Sequence, residues 1–226
     1  MKEHNATKGM ILDFRNNPGG LLDQAVGLVD LFVDGGVIVS QKGKLESENL
    51  NYDAHKENTD KKTPIVVLVN GGSATASEIV AGALQDFNRS IVVGEKTFGK
   101  GSVQVVMPIG ADEALKLTVA RYYLPSGRTI QAVGVTPDII VHLGKIDLIE
   151  DSVLLKESDL KKHLESELAK IDTNTTKSSQ PNETAENNAT KVDDTIITEV
   201  QLYKDLPLKS AVNLLKALII TNQGPQ

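Results

Sequence analysis

The chain has 226 residues, 40% hydrophobic and 4% aromatic, with 24 basic and 30 acidic side chains giving a net charge of −6. That balance argues against nucleic acid as the main partner, because phosphate binding calls for a Lys/Arg excess and a basic face. Cysteine is absent, which removes disulfides, thiolate metal sites and cysteine nucleophiles.

No apolar run reaches the roughly 18–20 residues of a membrane span. The polar start MKEHNATK lacks the apolar centre of a signal peptide, so the chain reads as soluble. The first 145 residues carry strand and glycine signals. GMILDF at 9–14 is a short apolar run closed by the turn RNNPGG at 15–20. A helix-like stretch follows, with Leu21, Leu22, Ala25, Val26, Val29, Leu31 and Phe32 on one broad apolar face, ending at Gly35 and Gly36. Residues 37–39 form a strand candidate, and 41–63 read as a charged surface hairpin or loop. Residues 64–69, PIVVLV, are nearly all apolar, the mark of a strand buried on both faces. They lead through Asn70, Gly71 and Gly72 into a second helix of about 76–87. Strands are expected at 91–93, in the apolar run 114–124, and around 130–141, with a turn at 125–127. This order points to an α/β layer fold.

Beyond Gly144 the character changes. Residues 146–171 read as a charged helical extension, with Ser158 as a cap. Residues 172–195 hold almost no large apolar side chains and read as a disordered linker. Residues 196–226 form a C-terminal helix region. A helix starting near Pro207, a favoured first-turn residue, carries Leu208, Val212, Leu215 and Leu218 at helical spacing. That stripe packs onto the core or onto a second subunit, so a homo-oligomer through this helix stays open. No internal repeat is visible.

The four histidines, His4, His55, His142 and His163, lie away from any Ser-rich turn, which gives a Ser–His–Asp triad little support. No recognised metal-ligand spacing exists, and no cofactor is expected. Two segments remain. In NGGSATASE at 70–78, hydroxyls crowd a strand-to-helix turn beside unpaired helix amides, where an oxyanion can be held. The bland reading is capping, since Thr75-x-x-Glu78 is a capping-box pattern. In GEKTFGKG at 94–101 the phosphate-loop pattern is nearly matched, which keeps a nucleotide-binding protein as an alternative. Against it, Gly101 stands where a Ser/Thr belongs, and the next residues are β-branched rather than helical. For Lys100 the bland reading is a solvated loop lysine. Together the two segments hold the minimum for hydroxyl–lysine acyl transfer.

Four motifs in order resemble the carboxyl-terminal processing (tail-specific) proteases, serine peptidases of the S41 type. These are GMILDFRNNPGG at 9–20, SATASEIVAGALQD at 73–86, GEKTFGKGSVQ at 94–104 and GVTPD at 134–138. The resemblance implies a crotonase/ClpP-like layered α/β core over residues 1–145, with a helical C-terminal extension. It also implies endoproteolytic cleavage of protein or peptide substrates near unstructured C-termini, in an exported or membrane-associated bacterial setting. It places the base on Lys100, the residue that orients it on Gln104, and the oxyanion amides on Gly20 and Ala76.

The family's nucleophilic serine falls on Thr75, whose extra methyl restricts χ1, with Ser73 and Ser77 two residues to either side. A weak Thr–Lys enzyme, a re-registered Ser77 enzyme and a catalytically silent homologue acting in assembly all remain open, and an acyl-CoA enzyme of crotonase type rests on fold analogy alone. The family also places an export signal, a helical region and a PDZ domain before this core. The expectation is therefore of a core incomplete at its N-terminus, with the PDZ domain absent.

Overall fold

A computed structural model describes residues 8–146 and 196–222. The expectations for the helical extension and the linker at 147–195 lie outside the described residues. The chain divides into two units, Met1–Lys145 with Val200–Gln226, and Ile146–Glu199. All that follows concerns the first unit.

Among the described residues, eight strands form two sheets. β1 (Met10–Asp13), β4 (Ile65–Val69), β5 (Ile91–Gly94) and β8 (Ile139–Ile140) make a parallel sheet in the order β1-β4-β5-β8. β2 (Val37–Gly43), β3 (Leu50–Asp53), β6 (Ser102–Pro108) and β7 (Ala114–Tyr123) make an antiparallel sheet in the order β3-β2-β7-β6. Helices α1 (Leu22–Asp30) and α2 (Ala76–Asp86) fill the space between the sheets.

β4 shows why the run at 64–69 is apolar throughout. Alternate strand residues face opposite sides. Ile65, Val67 and Val69 join the core shared with α1 and α2, while Val66 and Leu68 join a second core. That second core is closed by Leu208, Ala211, Leu214, Leu215 and Leu218 of a C-terminal helix. β4 therefore runs through the middle of the molecule, buried on both faces, and leads directly into α2.

The C-terminal segment is two helices, α3 (Glu199–Lys204) and α4 (Leu206–Asn222). Asp205 separates them, and its Oδ1 accepts the Leu208 N–H at 3.0 Å, an N-cap arrangement that leaves Pro207 in the first turn. The apolar stripe of α4 covers the protein's own parallel sheet.

Residues 130–138 form no strand, contrary to the run expected at 130–141; β8 holds only Ile139 and Ile140. The backbone here bonds across to another loop instead. Val135 O accepts the Thr97 N–H at 3.1 Å, and the Ala132 N–H donates to Gly99 O at 2.8 Å. Gly134, at φ +70°, sits too close to Thr97 O for any side chain. Beyond the core, β6 and the first half of β7 extend as an exposed two-stranded arm.

Candidate active site

Three segments meet at the N-terminal end of α2. The first is the turn from β4 into α2, and its backbone is strained. Thr75 has φ +53° and ψ −107°, outside the regions a β-branched residue normally adopts. Such outliers persist only where surrounding structure over-determines them. Thr75 and Glu78 stand in the capping-box arrangement that the sequence predicts, yet only the Glu78 half closes as a hydrogen bond. Glu78 Oε2 accepts the Thr75 N–H at 2.9 Å, while no hydrogen bond from the Thr75 side chain caps the helix.

The flanking serines are engaged elsewhere. Ser73 is fully buried, donates to Phe14 O at 2.7 Å and accepts the Asn70 N–H at 3.0 Å. Ser77 is buried and donates to Asn17 O at 3.1 Å. Both hydroxyls fasten the turn to the second segment, the loop after β1.

That loop, residues 14–20, is held by an asparagine pair. Asn70 Oδ1 accepts the Asn16 N–H at 2.8 Å, and Asn70 Nδ2 donates to Asn16 Oδ1 at 3.0 Å. The Ala74 N–H donates to Asn17 O at 3.0 Å. Gly19, at φ +98°, approaches so closely that an added Cβ would sit 2.6 Å from Ala74 O and 2.8 Å from Ala76 N. Only glycine fits there. The Gly20 and Ala76 N–H groups make no hydrogen bond to protein among the described residues. Both residues line one cleft of about 170 Å³, whose walls include Phe14, Leu21, Leu28 and Val80.

The third segment is the loop between β5 and β6. Lys100 is exposed, and its backbone N–H donates to Glu78 Oε2 at 2.8 Å. Since the Thr75 N–H reaches the same oxygen, the two backbone nitrogens lie no farther apart than those two hydrogen-bond lengths together. Among the described residues the Lys100 amine has neither a hydrogen-bond nor an ion-pair partner. Gln104 donates to Thr118 Oγ1 at 3.3 Å. The register shift beside Gln104 leaves Val119 of β7 as an extra residue opposite the Val103–Gln104 step of β6. β6, a strand, follows the loop where a phosphate loop would open a helix.

Neither described histidine reaches this turn: His55 pairs with Asp30 at 3.2 Å and His142 with Glu95 at 2.9 Å. No group of carboxylates and histidines able to hold a metal exists among the described residues.

The family model for peptidase family S41 matches residues 1–141. The chain belongs to peptidase family S41. A carboxy-terminal-processing protease of Bartonella bacilliformis is 49% identical over 158 residues, which cover 70% of this chain and 36% of that protein. A chloroplastic C-terminal processing peptidase of Tetradesmus obliquus is 43% identical over 131 residues, 58% of this chain and 28% of that protein. Among solved structures, a photosystem II D1 C-terminal processing protease aligns at a TM-score of 0.55 and 42% identity, over 60% of this chain and 35% of that one. The chain thus spans about a third of the length of these relatives.

Sequence reasoning placed Thr75, Ala76, Ser77, Gly20, Lys100 and Gln104 in the site. It read Glu78 only as a capping partner and missed Asn16, Asn17 and Asn70. Their sole local signal was the repeated asparagine before each glycine pair, a turn signature that says nothing about which turns meet. A second missed group is ionic. Arg15 binds Asp13 at 2.6 Å and Asp205 at 2.7 Å. Hydrogen bonds to Asp13 and then Asp205 raise the guanidinium above its ordinary value, although burial opposes them.

Proposed function

We propose that this chain is the catalytic core of a C-terminal-processing endopeptidase in which the Thr75 hydroxyl is the nucleophile and Lys100 the general base. The carrying observation is the divided use of three hydroxyls on one turn. Ser73 and Ser77 are buried and donate to backbone carbonyls, while Thr75 caps nothing and sits at the strained position. A sharp, strained strand-to-helix turn is also how other hydrolases present a nucleophile. Thr75 attacks the scissile carbonyl, Lys100 takes its proton, and the Gly20 and Ala76 amides hold the oxyanion. Gln104 orients the lysine once it leaves Thr118. Bound substrate would cover the exposed amine and exclude water from it.

The substrates are proteins or peptides cut near their C-termini, in keeping with the names of the relatives, a carboxy-terminal-processing protease and a C-terminal processing peptidase. An exported setting accords with the same family. The silent-homologue reading differs in one outcome, the response of Thr75 to substitution. Thr75→Ser removes the methyl that crowds attack and should raise cleavage of an unstructured peptide with an apolar C-terminus at least ~10-fold, equivalent to about 1.4 kcal/mol. Lys100→Ala should lower it by about 10²–10⁴. Turnover that survives Thr75→Ala but vanishes in Ser77→Ala would move the nucleophile to Ser77. A full-length protein in which no variant cleaves would establish the silent homologue.

A further inference from the structure

Glu78 is fully buried, and no cation balances it within ion-pair distance among the described residues. Buried carboxylates are costly unless their lone pairs are met by donors. Here four donors meet them. Oε2 accepts the Thr75 N–H at 2.9 Å and the Lys100 N–H at 2.8 Å; Oε1 accepts the Gly99 N–H at 2.7 Å and the Thr97 hydroxyl at 2.5 Å. A helix-capping role accounts for only the first of these. The other three come from a loop about twenty residues further along the chain.

We propose that Glu78 is a positioning residue for the reaction: one carboxylate sets the spacing between the nucleophile turn and the lysine loop. Oε2 alone touches the backbone of both Thr75 and Lys100, so the separation of the two residues follows from one atom. The same oxygen pins the amide of the residue held at φ +53° and so helps to maintain the strained turn. Thr97 extends the clamp. Its Oγ1 donates to Glu78 and accepts the Val135 N–H at 2.7 Å, which links the 134–138 motif to the same carboxylate. Gly99 is required because its φ is +91° and any Cβ would press on the backbone of Ala132, Val133 and Gly134.

Glutamine is the discriminating substitution. An amide offers one acceptor oxygen and one donor nitrogen, so Glu78→Gln must face either the Thr75 and Lys100 amides or the Gly99 and Thr97 donors with an N–H. One half of the clamp opens at nearly unchanged volume. The proposal rests on the Thr75–Lys100 reading for its catalytic meaning, and two measurements separate the two. The first is amide hydrogen exchange of the folded chain. Glu78→Gln should speed exchange at Thr75, Gly99 or Lys100 by 10-fold or more, while β4 and the second half of α2 keep their protection. Thr97→Val, which removes one donor and leaves Thr75 and Lys100 intact, should do the same at Gly99 and Lys100 and guards against a Glu78 variant that fails to fold.

The second measurement is the rate of fluorophosphonate labelling in the Thr75→Ser background. Glu78→Gln should slow the bond-forming step by about 100-fold without changing the concentration at which the reagent saturates, and Glu78→Asp should recover part of that rate. Unchanged exchange at all three amides would overturn the clamp. Altered exchange with an unchanged labelling rate would overturn its role in positioning. Loss of labelling by weaker saturation alone would do so as well. If no variant labels, the Thr75–Lys100 reading fails and Glu78 has no reaction to position, whatever the exchange experiment shows.

Discussion

Glycine at position 19 and glycine at position 20 look alike in the sequence and differ sharply in their surroundings. Gly19 has φ +98° and its absent Cβ would lie 2.6 Å from Ala74 O, whereas nothing lies within 4 Å of a Cβ at Gly20. Gly19→Ala must push the 14–20 loop off the α2 turn, with a strain of about 1–3 kcal/mol, and should lower the urea midpoint and separate the Gly20 and Ala76 amides. Gly20→Ala should leave the urea midpoint within experimental error. Equal midpoints for the two variants would show that the loop does not rest on the turn. The contrast between Ser77 and Thr75 belongs to the same scale. Both carry hydroxyls on one turn, but a carbonyl from sixty residues away occupies only the serine.

At the scale of elements, β4 and α4 depend on each other. Leu68 is fully buried against the α4 side of the sheet, so Leu68→Ala should cost about 2–5 kcal/mol, read from chemical denaturation. The N-terminus of α4 is also tied ionically to the end of β1. Burial alone would raise the Asp205 carboxyl, but hydrogen bonds from Arg15 and the Leu208 N–H outweigh it and hold the group below the usual carboxylate range. A carboxyl depressed in the folded state contributes stability above its unfolded value of about 3.9, and that contribution is lost as the pH falls through the folded value. Arg15 stays charged throughout this window. Docking of α4 should therefore weaken below about pH 4, seen as faster amide exchange in its first turns. Asp205→Asn should show weaker docking at neutral pH and a flatter response to acid. A variant with the wild-type acid profile would show that the Arg15 contact does not hold the helix.

For the molecule as a whole, α4 belongs to the fold rather than to an appendage. It closes the second core over Val66, Leu68 and Val93. A chain ending at Asp205 would expose that apolar face, and surfaces of this kind bind dye or aggregate. Truncation should therefore lower the thermal midpoint and raise binding of a hydrophobic dye. A truncated chain that is as stable as the parent would place α4 outside the core.

Local pattern was enough to determine much of this protein. The unbroken apolar run at 64–69 required a strand covered on both faces, the Gly71–Gly72 turn and the following apolar spacing required a helix, and four ordered motifs carried the family. These features depend on residues a few positions apart, where side-chain period and turn chemistry act directly. Only the tertiary structure decided what the hydroxyls and carboxylates do. Ser77 meets a carbonyl sixty positions away, Glu78 gathers donors from about twenty positions away, and Arg15 meets Asp205 across 190 positions. The 130–138 segment reads as strand because Ile130, Ala132, Val133 and Val135 are apolar, yet it forms a loop whose backbone partners lie on the Thr97–Gly99 turn. A hydrogen bond is set by where the chain brings its donor and acceptor together, and residue spacing carries no record of that.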